Sequence, residues 1–345
     1  MTEKKRRGIG MALAAAALCL NYIPMMEGAV RPSFAETENM AQRLLIPGGQ
    51  AVGVALKTQG VLVVAKTKES GGDTPLRAGD VIVSVTGKEV SSAAQLAQQV
   101  GQGTQDHVEL GILRGGKALT VQAAASADPA DGKRRLGVWV RDSTAGVGTL
   151  SYVDPKTGEY GALGHAIVDG DTGSMLEVRD GAIMRSRVVG VNKGVSGRAG
   201  ELRGSFLKEN EQIGTLTRNC GRGIFGHMEA LPQDLLYPDG LPAADKSEIH
   251  PGEATILSTV DGEGPKEYQV EILRCFLKSD SDGKDMILRV TDPALLEKTG
   301  GIVQGMSGSP IIQDGKLIGA VTHVLVNDPT RGYGIFIENM LEAAE

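Results

Sequence analysis

The stretch GGIVQGMSGSP, residues 300–310, sets a single serine, Ser307, among glycines and other small residues. Glycine has no Cβ, so it lets the backbone turn sharply and lets another chain approach closely. A nucleophilic serine needs such a setting, because neighbouring N–H groups must point at the substrate oxygen. The stretch therefore predicts a catalytic serine loop, and a Gly/Ser turn between two strands is the alternative interpretation.

The pattern Gly305-x-Ser307-Gly308-x-Pro310 resembles the nucleophile loop of chymotrypsin-like serine peptidases. This resemblance implies that Ser307 is the nucleophile and that the N–H groups of Gly305 and Ser307 form the oxyanion hole. Two apolar runs, residues 311–313 and 316–321, then flank Asp314-Gly315, which is typical of a two-residue β-hairpin turn. We therefore expect Ser307 to lie on a rigid loop that leads into a hairpin.

Length and composition favour a β-rich protein with two domains. The chain has 345 residues with 48 glycines and 3% aromatic residues, and many glycines without a repeat period fit a turn-rich β fold. The net charge of −6 offers no basic surface, so nucleic acid is not expected as a partner. Neither a phosphate-binding P-loop nor a His-Glu-x-x-His metal motif occurs, so we expect no cofactor and no metal.

The N-terminus is typical of an export segment. Four basic residues at 4–7 precede an apolar run from Ile9 to about Met26, which predicts a cleaved signal peptide or a retained membrane anchor over residues 1–35. A buried N-terminal helix is the alternative. No later run reaches the roughly 18 apolar residues of a membrane span. Outside this leader only Cys220 and Cys275 remain, and we favour two unpaired thiols over a disulfide.

Residues 36–127 resemble a PDZ domain, and the stretch Leu76–Val90 carries the resemblance. It implies that Ala51, Val52, Gly53 and Val54 form the loop whose N–H groups bind a peptide carboxylate while the peptide adds a strand to the sheet. A PDZ-like spacer without a ligand is the alternative. The polar residues 126–135 then predict a linker to a second domain, residues 128–345.

A serine hydroxyl needs a base, which is usually histidine near neutral pH. Among five histidines we favour His165, because Gly164 and Ala166 leave room for substrate, and His323 is its rival. The third catalytic residue would orient the imidazole. Asp292 lies fifteen residues before Ser307, although it also suits a helix cap followed by Pro293. Asp169 and Asp171 are the alternatives beside His165.

Four stretches make the resemblance more specific: residues 141–146, 161–165, 299–310 and 320–330 are similar to the SpoIVB peptidase family of endospore-forming bacteria. The resemblance implies a mainly β fold, with a PDZ domain followed by a chymotrypsin-like double β-barrel serine peptidase domain. It assigns Ser307, His165 and Asp292 to catalysis. In chymotrypsin-like enzymes, however, the aspartate belongs to the first barrel, whereas Asp292 lies close to Ser307 in the chain.

The same resemblance implies a biological role. Members are serine endopeptidases, exported across the forespore membrane, that cleave themselves and a membrane-bound regulator of an intramembrane protease. That cleavage leads to activation of a late sigma factor in sporulation. We therefore expect protein substrates, peptide C-termini as PDZ ligands, and a protein anchored in the membrane or released into the intermembrane space. The alternative is a catalytically silent PDZ protein that only binds peptides, and a heat-shock-type protease is less consistent because its peptidase precedes the PDZ domain.

Overall fold

The computed structural model describes residues 43–67, 74–206, 212–277 and 283–345. The predicted leader at residues 1–35 lies outside these ranges. None of the helices in the described ranges has the length and apolar character needed to cross a membrane. Cys220 and Cys275 are both free, as predicted.

Strands dominate the described chain, in agreement with the predicted mainly β fold. The helices are α1 (Ala93–Gly101), α2 (Pro293–Thr299) and α3 (Ile337–Ala344). The strands are β1 (Leu44–Pro47), β2 (Ala51–Lys66), β3 (Val81–Val85), β4 (Lys88–Glu89), β5 (His107–Arg114), β6 (Lys117–Ala124), β7 (Ser126–Ala127), β8 (Arg134–Arg135), β9 (Val138–Val153), β10 (Glu159–Ala162), β11 (Val178–Asn192), β12 (Glu201–Phe206), β13 (Gln212–Cys220), β14 (Gly223–Met228), β15 (Leu241–Pro242), β16 (Gly252–Ser258), β17 (Lys266–Cys275), β18 (Met286–Val290), β19 (Pro310–Gln313), β20 (Lys316–Val324) and β21 (Arg331–Phe336).

The first barrel closes through six antiparallel strands. Strand β2 pairs with β9, β9 with β10, β10 with β14, β14 with β13, β13 with β11, and β11 returns to β2. Alternating side chains of β2, Val52, Val54 and Leu56, are buried in its core with Leu150 and Ile183. Period-two burial of this kind is what fixes the register of a strand with one face toward a core.

The second barrel contains β16, β17, β18, β21, β20 and β19 in that closed order. Its core includes Ile256, Leu288 and Val321. Helix α3 packs in a cluster that draws side chains from both barrels, among them Tyr152 of β9 and Leu317 of β20. The predicted double β-barrel fold is therefore confirmed, and the contact between the barrels is apolar.

The PDZ-like lobe is an insertion into the first barrel. It consists of the last part of β2, strands β3 to β6, helix α1 and the first part of β9, and it has its own core around Ile82, Leu96 and Leu110. Strands β2 and β9 are each sixteen residues long and pair with each other in both lobes, from Ala51↔Thr149 in the barrel to Lys66↔Val138 in the insertion. The predicted linker at residues 126–135 forms the short β7–β8 ribbon.

The prediction that Ala51, Val52, Gly53 and Val54 bind a peptide carboxylate is wrong. These residues lie in the barrel half of β2, where β9 pairs with one edge and β11 with the other. A strand that is hydrogen-bonded on both edges has no free row of N–H groups to offer a peptide. The pattern of small and apolar residues in this segment fits a buried barrel strand equally well, and the long-range pairing with β11 decides between the two.

Candidate active site

Ser307, His165 and His323 line one cleft, with a volume of about 550 Å³, between the two barrels. His165 follows the end of β10 in the first barrel. In the second barrel, Ser307 precedes β19 and His323 lies near the end of β20. The structure therefore brings together the predicted nucleophile, the predicted base and the rival base, although His165 and Ser307 are 142 positions apart in the sequence.

Hydrogen bonds to the first barrel hold the serine loop. Thr149 of β9 donates its N–H to the Ser307 carbonyl (2.9 Å) and its Oγ1 to the Gly305 carbonyl (2.7 Å). The next residue, Gly308, has a φ of +98°, and a Cβ there would lie 2.0 Å from the Thr149 carbonyl oxygen. Only glycine fits this position, because any side chain would collide with the backbone of β9. The glycine pattern that predicted the loop thus has a structural cause.

Two N–H groups beside Ser307 are available to a substrate. Within the described part of the chain, the N–H groups of Gly305 and Ser307 donate to no acceptor. The intervening Met306 N–H is bound to the Val303 carbonyl, and the following Gly308 N–H is bound to the Val321 carbonyl. The free donors are the pair predicted as an oxyanion hole, and free donors near a nucleophile are what such a hole requires.

The Ser307 hydroxyl donates to the Thr322 carbonyl oxygen at 2.7 Å. Thr322 is the neighbour of His323 on β20, so the hydroxyl already lies inside the cleft. Its proton is directed at a backbone carbonyl in this arrangement. The hydroxyl must therefore turn away from this carbonyl before its proton can pass to an imidazole, and catalytic hydrogen bonds often form only when substrate binds.

His165 has the tautomer that a general base needs. Its Nδ1 lies 2.8 Å from the Ala166 carbonyl oxygen, and because a carbonyl only accepts, we assign the proton to Nδ1. The lone pair of Nε2 is then free to accept a proton. Burial lowers the pKa of His165, and the bond to the Ala166 carbonyl opposes that change. The imidazole is therefore neutral near pH 7.

His323 lies beside His165, with 5.0 Å between the ring centroids. Burial, together with the nearby His165 and Lys284, lowers the pKa of His323 to about 4. Its buried Nδ1 has no hydrogen-bond partner in the part of the chain that the structure describes. No group therefore fixes the tautomer of His323, in contrast to that of His165.

The structure does not place Asp292 in the cleft. Its carboxylate caps α2, accepting the Leu295 N–H at 2.9 Å, and it also accepts the Gln269 N–H at 3.4 Å. The two alternatives, Asp169 and Asp171, bind Arg141 and are absent from the lining as well. The assignment of Asp292 to the triad therefore conflicts with the geometry. In this structure the group that orients His165 is the Ala166 carbonyl.

Replacing Asp292 by alanine is expected to affect stability and leave the chemistry nearly unchanged. Loss of an N-cap costs about 1 kcal/mol, so Tm should fall by a few degrees while kcat stays within a few-fold. Asp292→Asn is the matched control, because asparagine caps as well as aspartate and should restore Tm. Thermal unfolding and peptide hydrolysis measure the two effects. A thousandfold loss of kcat in Asp292→Asn at unchanged Tm would restore Asp292 to the triad.

Sequence reasoning missed the role of Arg141. This residue lies on β9, where the strand passes from the PDZ-like lobe to the barrel, and its guanidinium binds both Asp169 and, at 2.9 Å, Asp171. Asp169 in turn accepts the N–H and Oγ1 of Thr172, which shapes the turn that follows His165. Arg141 thus holds the segment that carries two cleft residues, Ile167 and Val168. The sequence contains no signal for this contact between residues that are 28 positions apart.

Sequence reasoning also missed the open edge of the PDZ-like lobe. Residues 138–141 of β9 pair with β2 on one side and with no other described strand on the second side. Asp142 at the end of this segment accepts the Ala93 N–H at 2.8 Å, which ties it to the start of α1. The preceding residues, Arg135-Leu136-Gly137-Val138, have the same pattern as residues 51–54, in which an apolar residue, a glycine and a second apolar residue follow one another. That second occurrence was the available signal.

Comparison with solved structures gives matches to two kinds of protein. The PDZ domain of an SdrC-like protein from Listeria monocytogenes is 23% identical, with a TM-score of 0.21, over 24% of this chain and 87% of that one. The Rv3671c protease from M. tuberculosis in its active form is 14% identical, with a TM-score of 0.33, over 58% of this chain and 72% of that one. Its inactive form is 12% identical, with a TM-score of 0.33, over 57% and 81%.

A search of curated proteins gives no match to this chain. The family model described as SpoIVB peptidase S55 matches residues 132–341, which is more than half of the 345 residues. The matched segment contains the serine loop, both cleft histidines and most of the strands of the two barrels. The chain therefore belongs to the SpoIVB peptidase S55 family and is a serine peptidase.

Proposed function

We propose that this serine peptidase is an exported endopeptidase that cleaves itself and a membrane-bound regulator, and thereby starts intramembrane proteolysis and late sigma-factor activation in sporulation. The observation that carries the catalytic part is the shared cleft of Ser307 and His165, with the free N–H groups of Gly305 and Ser307 beside it. Family membership and the basic, then apolar, N-terminal sequence support the remaining parts.

In the proposed mechanism, Ser307 Oγ attacks the carbonyl carbon of the scissile peptide bond while its proton passes to His165 Nε2. The N–H groups of Gly305 and Ser307 bind the oxyanion that forms. The Ala166 carbonyl holds Nδ1 and stabilises the charged imidazole. His165 then protonates the leaving amine, which leaves an acyl-enzyme. A water molecule, deprotonated by the same imidazole, hydrolyses the ester and restores Ser307.

The PDZ-like lobe gives this peptidase a second place to hold a protein. In the proposed function, an extended peptide adds as a strand to the open edge of residues 138–141, next to α1. Residues 135–138 would present the N–H groups that bind its carboxylate. This assignment replaces residues 51–54 with the later copy of the same pattern. Peptide partners are thereby bound outside the cleft.

One observation favours the catalytically silent alternative: the Ser307 hydroxyl points to the Thr322 carbonyl. An organophosphorus serine probe separates the two functions, because only an activated serine reacts with it. Labelling of Ser307 that is lost in His165→Ala supports the peptidase. Absence of label on the folded wild-type protein would leave a peptide-binding protein.

The regulator is tested in membranes of an endospore-forming host that carries the full-length chain. We expect the wild-type protein to convert the membrane-bound regulator to shorter fragments on immunoblots, and Ser307→Ala to leave it intact. Ser309→Ala is the matched control, since its buried hydroxyl bonds to Ser258 and lies outside the cleft lining. If the regulator stays intact while the probe labels Ser307, the protein is a peptidase but the regulator is not its substrate.

A further inference from the structure

The lining of the active-site cleft is aliphatic on both barrels. Most of its side chains are aliphatic, among them Leu163 and Val168 of the first barrel and Ile302 and Val326 from the second half of the chain, and Thr144 and Gln304 are uncharged polar exceptions. No aspartate, glutamate, lysine or arginine belongs to this lining in the described ranges. An uncharged aliphatic wall recovers free energy from an apolar substrate side chain, in proportion to the apolar area that leaves water.

Several charged residues near the lining segments contact other groups of the protein. Arg141 binds Asp169 and Asp171, as described above, and Asp328 binds Arg331 at 2.6 Å. The Lys284 ammonium lies 5.6 Å from the centre of the Tyr333 ring. None of these groups is part of the cleft lining. A charged substrate side chain in the cleft would therefore lose part of its hydration without a charged side chain of the lining to pair with.

The two histidines do not change this conclusion at neutral pH. Burial lowers the pKa of His165 and of His323, the latter to about 4, so both rings are uncharged. The substrate residues before and after the scissile bond would thus contact lining residues that carry no charge. The polar side chains of the lining, among them Thr144 and Gln304, are uncharged, so they add hydrogen-bonding groups but no charge to pair with a substrate side chain.

The apolar surface continues beyond the cavity onto both lips. On one lip, Val168 is 50% exposed and pairs with Met175, which is 51% exposed. On the other lip, Val326 is 45% exposed, and its carbonyl accepts the Gly197 N–H close to the exposed Val195. Exposed apolar side chains that cluster around a cleft are typical of a binding surface rather than of ordinary solvent-facing positions.

We propose that the peptidase takes an extended substrate segment with uncharged aliphatic side chains on both sides of the scissile bond, and that Val326 is a specificity-determining residue on the rim. This inference rests on the proposed peptidase function and adds the class of sequence that is cleaved. We expect one occupant of the cleft, an aliphatic stretch of a protein chain, because its walls offer apolar surface and no charged side chain.

The test uses the full-length protein in detergent, with active sites counted by the organophosphorus probe. The substrates are internally quenched peptides. The parent peptide, called the aliphatic frame, has aliphatic residues at its four central positions, and in the other peptides one of these residues is replaced by aspartate or lysine. We expect kcat/KM to fall at least tenfold for each charged replacement in the two positions that flank the scissile bond. We compare kcat/KM for a lysine-containing peptide with kcat/KM for the all-aliphatic peptide. Val326→Asp should raise this ratio at least tenfold for one of the lysine peptides, because the variant supplies a carboxylate that can pair with the lysine.

Val189→Asp is the matched control, since Val189 is 63% exposed and lies outside the cleft lining. Val189→Asp should leave the ratios of kcat/KM between charged and aliphatic peptides unchanged. Val168→Asp provides a second rim variant, on the opposite lip of the cleft. Equal cleavage of charged and aliphatic peptides, or no cleavage of the aliphatic frame by a labelled enzyme, overturns the specificity while the peptidase stands. A wild-type protein that the probe does not label overturns the peptidase itself.

Discussion

Replacing Ser307 by alanine is expected to lower kcat/KM by a thousandfold or more while the protein remains folded. The nucleophile is lost, and only binding and the free N–H groups of the loop remain to assist hydrolysis. The substitution removes one hydrogen bond, from Oγ to the Thr322 carbonyl, and leaves in place the bonds that Thr149 donates to the Ser307 and Gly305 carbonyls. Peptide hydrolysis and thermal unfolding on the same preparations measure the two effects.

The control for this variant is Ser309→Ala in the same loop. Ser309 is fully buried and its Oγ lies 3.1 Å from Ser258 Oγ, so its loss should cost about 1 kcal/mol of stability and little activity. Hydrolysis by Ser307→Ala at more than a tenth of the wild-type rate would remove Ser307 from the mechanism. Labelling of Ser309 by the probe would have the same consequence.

Replacing His165 by alanine is also expected to lower kcat/KM by about a thousandfold, because the proton of Ser307 then has no acceptor with a fixed orientation. His323→Asn should cost less, since the tautomer of His323 is not fixed. The reverse order of the two losses would make His323 the base. The pH dependence provides an independent measurement on the wild-type protein.

The neutral form of His165 is the active form, and burial shifts its pKa below the ordinary 6.5. Activity should therefore persist as the pH falls through 6.5 and should decline only at lower pH, where the imidazole becomes charged. The acid limb of kcat/KM against pH locates that point. An acid limb above 6.5 would contradict the assignment of a buried, neutral His165 as the base.

The parts of the site that could be predicted from sequence are those that a short local pattern encodes. Gly308 lies against Thr149 of β9 and Gly305 lies against Leu202 of β12, both at a positive φ, and glycine is the residue that permits this. His165 could be favoured because its small neighbours leave the ring accessible. Both predictions depended on steric requirements that act within a few residues of the functional group.

The predictions that failed involve patterns that two different structures satisfy. Asp292-Pro293 is a good helix start, and the structure uses it as one. The apolar and glycine pattern of residues 51–54 recurs at residues 135–138, and only the pairing of β2 with β11 shows which copy lies inside a barrel. The contact of Arg141 with Asp169 likewise depends on tertiary structure. Local sequence cannot decide such cases, because the deciding contacts are distant along the chain.

The two long strands shared by the barrel and the PDZ-like lobe restrict how the molecule can be divided. A truncation at any point between residues 51 and 153 removes a strand from the first barrel as well as part of the lobe. Excision is the feasible route, because Lys57 and Ser143 are cross-strand partners, and a short turn between them would seal the barrel wall. Genetic rearrangements that gain or lose the PDZ-like lobe of this protein must therefore act at two coupled positions.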